Sequence, residues 1–373
     1  MTNRKPDELS ALDELLKIGD GRKADDEENR REMKKIQHAI SVSIYGRMVK
    51  FFLVLAGICA GTYLVLSVVS YGLGYNPKKA ESFDFPEDYG DLSEFGTLMQ
   101  TFSGLFMPDS YVAVHPFANI RKTGLGNYEI DASFGHVEDG YDGGSNGVIR
   151  IRWGEMSLVF SGGTTMPTLV YPMPFTDGMA PQSLTEDVEE LPDSAYLYVS
   201  LVFDEVKGIT EMYNYMDQYE NSVFSYLATF SEEVQPPLGL DLAWTMGYGT
   251  DEAFDEKYPN FYYRSEVGDS KTLDPDAVRE CYQSRIRLML DNPDFLELAF
   301  GLVSWPHAQQ KLIVRKLEQE LEKSTEEITF IGCRAKVKKQ DLLNMIDGGD
   351  LKYIRVHKAS YSKFPEEALP RYD

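Results

Sequence analysis

The residues that most often carry catalysis or bind metals are present in this sequence, but they are not grouped for either task. None of the histidines has a Cys or His partner at the spacing of a zinc site. They are His38, His115, His136, His307 and His357. The chain contains no nucleophile elbow, no Walker loop and no H-E-x-x-H motif. We therefore expect no catalytic residue, no bound metal, no cofactor and no enzymatic activity.

The stretch Asp139–Gly147 has the acidic and glycine residues of a metal-binding loop. It lacks the D-x-D-x-D-G spacing and the closing Glu of a calcium-binding hand. Because it lies between two strand-like runs, it is interpreted as a hairpin loop.

Apolar residues near the N-terminus have a spacing that suits binding rather than catalysis. They recur at about 3.6-residue intervals and comprise Leu9, Leu12, Leu15 and Leu16. The segment that contains them is too short to bury them against itself. A helix of this kind commonly docks in the groove of a partner, and these leucines are our candidate docking residues. The alternative is a tail that lies in water or on a membrane surface, and the pattern alone leaves both open.

Residues 1–50 are predicted to contain two short helices. The first begins near Pro6 and is expected to end at Gly19 and Gly21, since glycine commonly ends a helix. The second is a charged run followed by isoleucines four residues apart, and it continues into an apolar segment.

That apolar segment, Phe51–Leu73, has 23 residues and no charge. As a helix it would be about 34 Å long, enough to cross a hydrocarbon core of about 30 Å. Basic residues precede it closely: Arg30, Arg31, Lys34, Lys35, Arg47 and Lys50. Only Lys78 and Lys79 follow before an acidic run. The apolar segment, with the excess of basic residues before it, predicts a single-pass plasma-membrane protein with a cytoplasmic N-terminus and an extracytoplasmic C-terminal region.

Within this segment, Gly57 and Gly61 form a G-x-x-x-G pattern with alanines beside them. Small residues four apart allow a second helix to approach closely in lipid. We expect this face to pack on another copy of the chain or on a second membrane protein.

The region after the apolar segment is strongly acidic. From Lys78 onward it carries 26 Lys and Arg against 50 Asp and Glu. Such a charge argues against nucleic acid or an anionic membrane surface as its partner. The cysteines, Cys59, Cys281 and Cys333, are too few for a disulfide framework. A bridge between Cys281 and Cys333 stays open, although buried free thiols are favoured.

The same region is predicted to have an α+β fold. Residues 76–108 are expected to form a stalk and one helix, and residues 109–175 contain short β-type runs that predict antiparallel strands. Residues 176–193 are interpreted as a linker. Across residues 194–360 strands alternate with helices, which predicts a sheet with helices packed on it. The expected domains are thus 1–50, 51–73, 76–175 and 194–360.

Several stretches of this region carry a family resemblance. They are Ala195–Asp204, Ile209–Met212, Tyr219–Ala228, Asp294–Leu298, Ile328–Lys336 and Asp341–Leu343. In residue type and order they resemble the sigma-factor-regulator family, the membrane-bound anti-sigma factors of Gram-positive bacteria. The stretch from the apolar segment through Asn127–Ile130 is similar to the N-terminal half of that family. The resemblance covers residues 45–355.

The resemblance implies that residues 1–50 hold an extracytoplasmic-function sigma factor at the membrane under control of the outer regulator domains. The zinc-binding H-x-x-x-C-x-x-C motif of another anti-sigma class is absent, and residues 1–49 contain no cysteine. The contact would then be made by helices alone. The competing class is a membrane-anchored receptor for an external ligand or for cell wall, with no sigma partner. A membrane-anchored surface hydrolase is a third class and would need a polar cleft with perturbed groups.

Overall fold

The structure is a computed structural model of the whole chain. It describes residues 6–73, 75–77, 94–108, 110–114, 120–136, 145–160, 165–166, 178–219, 221–229, 238–242, 252–261, 274–303 and 307–361. In the first helix the side chains are described only between Asn29 and Leu66, apart from positions 32 and 39. The chain divides into two compact units, Met1–Val69 and Ser70–Asp373.

The first unit is formed by one helix, α1 (Pro6–Leu73), of 68 residues. At 1.5 Å per residue it is about 100 Å long. The predicted pair of short helices is wrong, because α1 continues through Gly19 and Gly21. A glycine weakens a helix by only about 1 kcal/mol relative to alanine. The residues close to both glycines that favour helix are Lys17, Arg22, Lys23 and Ala24.

Among the residues that the structure describes, one helical stretch, Asn29–Leu66, is long and apolar enough to cross a membrane. Length and composition are the basis of this statement. None of its apolar window is buried against other parts of the chain.

The second unit combines helices with two antiparallel sheets. Its first elements are α2 (Glu94–Phe106), β1 (Ser110–Val114), β2 (Ile120–Gly124), β3 (Asn127–His136), β4 (Ser145–Arg152), β5 (Glu155–Phe160) and β6 (Thr165–Met166). After these come α3 (Pro181–Glu189), β7 (Ala195–Gly208), α4 (Ile209–Asp217), β8 (Val223–Thr229), β9 (Gly239–Asp241), α5 (Glu252–Lys257), α6 (Pro275–Asp291) and α7 (Pro293–Phe300). The last are α8 (His307–Leu321), β10 (Thr329–Lys338), α9 (Lys339–Gly348) and β11 (Leu351–Tyr361).

The N-terminal sheet has the strand order β1-β3-β4-β5-β6, and β2 also pairs with β3. Every second residue along its strands faces the core, as in β5, where Met156 and Leu158 are buried. This alternation confirms the predicted antiparallel sheet. The predicted strand at Thr168–Tyr171 and most of the Asp139–Gly147 loop lie outside the described residues. The strands on either side of that loop pair antiparallel, as a hairpin requires.

The C-terminal sheet has the order β11-β7-β10-β8-β9, and all its pairs are antiparallel. One face of β7 contributes Leu197, Val199, Leu201 and Phe203 to the main core. Helices α4 and α9 contact this sheet, α4 at β7 and β10, and α9 at β10, β11 and β7. The predicted sheet with packed helices is therefore confirmed in its main features.

The helix α2 supplies phenylalanines to a core that also includes residues of both sheets. It contacts β1, β9, α6 and α7. Phe102 lies 4.9 Å from Phe106, 6.1 Å from Phe300 and 6.5 Å from Phe295, measured between ring centroids. This aromatic cluster packs α2 against α7.

Two details of the second unit differ from expectation. The stretch 176–193, predicted as a linker, contains α3, whose Leu184 and Val188 are buried. Helix α3 packs on α9 and β11, so apolar periodicity in this short stretch matters more than its Pro and acidic content. In α8, the helical spacing of the leucines predicts that Leu312, Leu317 and Leu321 face inward; Leu317 is buried, but Leu312 is 39% exposed and does not face the core. The domain boundaries themselves stay predictions.

Candidate functional site

The candidate docking leucines, Leu9, Leu12, Leu15 and Leu16, all lie within α1. Their side chains are outside the described part of the chain. The leucine segment and the apolar segment therefore belong to one continuous helix, and residues at i, i+3 and i+4 of a helix share a face.

The glycines of the G-x-x-x-G pattern also lie on α1. A Cβ added at Gly57 or at Gly61 would meet no atom within 4 Å. Nearby, the Thr62 hydroxyl donates to the carbonyl oxygen of Ile58 at 2.8 Å, so its polar group is satisfied within the helix. This part of α1 therefore presents a smooth surface of small residues on which a second helix could pack.

The described remainder of the apolar segment, through Leu66, is exposed. Its large side chains range from 44% exposed at Leu55 to 67% at Leu53, and they point in every direction around the helix. A helix that is apolar all round is stable in a large core or in a membrane. Among the described side chains of α1, which end at Leu66, none of the apolar window is buried against other parts of the chain.

In the second unit, three polar side chains meet on the face of the C-terminal sheet that is turned away from the main core. Ser200 lies on β7, Arg334 on β10 and His357 on β11. In the strand register, Ser200 lies opposite Arg334 of β10 on one side and opposite Arg355 of β11 on the other. Residues directly opposite in a ladder share a face, so the cluster follows from the pairing of β11, β7 and β10.

The geometry of this cluster is tight. The Ser200 Oγ lies 2.6 Å from the His357 Nε2, and the Arg334 guanidinium contacts the same nitrogen. Both groups can donate to Nε2, which assigns the ring proton to Nδ1. Ser200 is 3% exposed and Arg334 is 7% exposed.

Burial, together with the positive charges of Arg334 and Arg355, lowers the pKa of His357 from 6.5 to about 3. A general base works best when its pKa is close to the working pH, and hydrolase triads also use a carboxylate to orient the histidine. In the described part of the chain, the hydrogen-bond partners of His357 are Ser200 and Arg334, and neither is a carboxylate. The serine–histidine contact is therefore not arranged to activate a nucleophile.

The residues around the cluster are basic. Strands β10 and β11 contain no Asp or Glu, but they carry Arg334, Lys336, Lys338, Lys352, Arg355 and Lys358. The Lys336 Nζ lies 5.3 Å from the ring centroids of Tyr196 and Tyr198, within cation–π range. We did not predict this cluster from the sequence, although the alternation Arg334-x-Lys336-x-Lys338 is a signal that could have indicated a basic sheet face.

The lowered pKa of His357 makes a prediction about stability. Between pH 6.5 and about pH 3, the unfolded chain binds a proton at His357 that the folded chain does not. Lowering the pH through this window should therefore destabilise the folded state through this residue. In the His357→Gln variant, the drop in the urea midpoint between pH 7 and pH 4.5 should be smaller than in the parent.

The matched control for that experiment is His38→Gln, because His38 is exposed on α1. The urea midpoint of this variant should depend on pH as that of the parent does, including the large part of the dependence that comes from carboxylates. Equal pH dependence in all three proteins would show that His357 titrates normally.

The remaining candidate groups are the cysteines. Cys281 and Cys333 are both buried free thiols, and Cys59 is exposed on α1. Burial raises the pKa of the Cys333 thiol well above its ordinary value, which disfavours the reactive thiolate. Among the described residues, no group of three or more His, Cys, Asp and Glu side chains is placed to hold a metal ion.

Comparison with known proteins adds no relative. No protein-family model, no curated protein and no solved structure matches this chain.

Proposed function

We propose that this chain is a membrane-bound anti-sigma factor. Its single transmembrane helix lies at Phe51–Leu73, in the plasma membrane, with the N-terminus in the cytoplasm. The leucine face of residues 1–50 binds an extracytoplasmic-function sigma factor and keeps it from RNA polymerase. The outer region, Lys78 onward, governs release.

The exposed apolar segment of α1 supports the membrane part of this proposal. Leaving side chains such as Leu53, Val54 and Ile58 in water at 60% exposure or more is costly, since apolar surface is worth about 25 cal/mol per Å². A bilayer removes that cost without any further protein. The excess of basic residues before the segment supports the orientation.

The observation that carries the regulatory part is the continuity of α1. One helix includes both the leucine face and the apolar segment, with no described break between Pro6 and Leu73. A change in how this helix associates with a partner in the membrane would be transmitted along a rigid rod to the leucines. The resemblance to the sigma-factor-regulator family supplies the class of partner.

The small-residue face at Gly57 and Gly61 is the proposed place of that association, with a second copy or another membrane protein. The four-residue spacing of the two glycines supports it. Replacing both glycines by isoleucine should abolish crosslinking between helices in the membrane. Unchanged crosslinking would refute this part of the proposal.

The competing function is an outward-facing receptor with an inert cytoplasmic tail. Affinity capture of the full chain from its own membranes separates the two, because a sigma factor should co-purify only if the anti-sigma proposal is correct. The matched control is the Leu12→Glu, Leu16→Glu variant, which keeps the transmembrane helix and the outer region. Capture of the same proteins by parent and variant would favour the receptor.

A further inference from the structure

The hairpin that joins β4 and β5 has an unusual residue at its tip. Its two central residues, Trp153 and Gly154, both have positive φ, 52° and 83° respectively, and they lie between the paired residues Arg152 and Glu155. Two successive positive φ values in a two-residue loop define a type I′ turn. Such turns strongly prefer Asn, Asp or Gly at both positions.

A tryptophan in this position is not explained by the fold. Positive φ is a strained conformation for a bulky side chain, and the Trp153 side chain is 69% exposed. The indole therefore contributes little core packing in return for the strain. Strain of this kind at an exposed residue points from the observed backbone to a role outside the fold.

A second apolar residue lies at the same end of the sheet. The β2–β3 turn consists of Leu125 and Gly126, and Gly126 also has a positive φ of 65°. Asn127 directly follows the β2–β3 turn, and Arg152 directly precedes the β4–β5 turn. The register pairs these two residues. The two turns are therefore neighbours, and the end of the N-terminal sheet presents Trp153 and the half-buried Leu125 side by side.

The residues around this apolar tip are charged and exposed. Arg152 and Glu155 flank the Trp153 turn and pair with each other, and Lys122 lies three residues before Leu125; all three are exposed. An indole with cations beside it is typical of residues at a membrane–water interface, where the ring lies at headgroup level and its N–H remains hydrated. A tryptophan hot spot in a protein interface lies instead near the centre of a broad, well-packed patch. A convex hairpin tip fits the soft headgroup layer better than such a patch.

We propose that this tip, formed by Leu125 and Trp153, inserts into the headgroup layer of the bilayer. The inference rests on the proposed function, because the transmembrane helix keeps the outer region near a membrane. Tyr75 lies two residues after the end of α1 and packs on Phe95 and Phe295 of the outer region, with ring centroids 6.1 and 6.0 Å apart. The folded outer region therefore begins within a few residues of the proposed transmembrane helix. Since the outer region is acidic, the partner is the apolar and zwitterionic part of the surface rather than anionic lipid.

The test uses the full chain in phosphatidylcholine nanodiscs, with or without bromine on the acyl chains near the headgroup. The Trp153 fluorescence is obtained by subtracting the signal of the Trp153→Asn variant from that of the parent. Bromolipid should quench this component, and iodide in the water should quench it only weakly. A component that resists bromolipid overturns the proposal, whether iodide reaches the indole or protein covers it.

The Trp153→Asn variant also excludes a purely structural role. Asparagine suits the type I′ position, so the variant should unfold at a temperature equal to or above that of the parent while losing the lipid contact. A lower unfolding temperature would show that the indole serves the fold and would contradict the proposal.

Nanodisc incorporation is measured separately by size exclusion. A chain that incorporates but shows no bromolipid quenching refutes the tip alone. A chain that does not incorporate refutes the transmembrane helix, and the tip proposal fails with it.

Discussion

Deletion of residues 1–49 should free the sigma factor and raise transcription from its promoters by at least about tenfold. Burial of three or four leucines stabilises a complex by roughly 5–8 kcal/mol before the costs of ordering and association. Each 1.4 kcal/mol is a factor of ten in affinity, so removing these contacts should leave no significant complex. Transcript sequencing of the deletion strain against the parent measures the effect.

A point variant makes the same experiment sharper. Leu12→Glu with Leu16→Glu should match the deletion, because two charges cannot be buried in an apolar groove without a large penalty. The matched control is Leu12→Met with Leu16→Met, which keeps apolar character, size and helix propensity. Transcription that is unchanged in the deletion strain, or equally raised by the methionine control, would contradict docking through these leucines.

The second large effect is expected in the outer region. Phe102→Ala should destabilise it by about 3–5 kcal/mol, the usual cost of removing a fully buried phenylalanine. Phe102 has 0% exposure and contacts rings from both α2 and α7. The unfolding temperature of the full chain in detergent should fall by roughly 6–15 °C.

The control is Leu312→Ala, which removes a side chain of similar type that is 39% exposed. It should lower the unfolding temperature by no more than about 2 °C. If Phe102→Ala were equally mild, α2 would not be part of the same cooperative core as the sheets, and control of release by the outer region as one body would lose its physical basis.

Short-range periodicity in the sequence predicted much of this fold. The nearly continuous apolar run Ala195–Phe203 is found in β7, and the helical run that begins at Asp276 is found in α6. The uncharged run after Lys50 is helical and exposed, as its composition required. These features depend on residues within a few positions of one another, so the local pattern contains the information.

Features that depend on long-range contacts were missed. The contact between Ser200 and His357 joins positions 157 residues apart, and only the pairing of β11 and β10 with β7 brings Arg334 to it. The helix through Gly19 and Gly21 was missed for a different reason. Glycine ends a helix when other signals agree, and here the flanking residues favour continuation.

The exposed Trp153 shows a third kind of limit. Its sequence context, Arg-Trp-Gly-Glu between two alternating runs, predicts a hairpin. The positive φ at a tryptophan is visible only in the folded backbone. Turn propensities cannot predict strain at a functional residue. They favour the residue types that adopt positive φ without strain, which here would be Asn, Asp or Gly.

The location of the two ends of the chain is the most direct test of the account. A reporter that is active only in the cytoplasm and one that is active only outside are each fused to the N-terminus and, separately, to the C-terminus of the full chain. We predict cytoplasmic activity at the N-terminus and external activity at the C-terminus, because the proposed topology has α1 crossing the membrane once. If both ends were active in the same compartment, the outer region could not control a cytoplasmic sigma factor through this helix, and the account would be wrong.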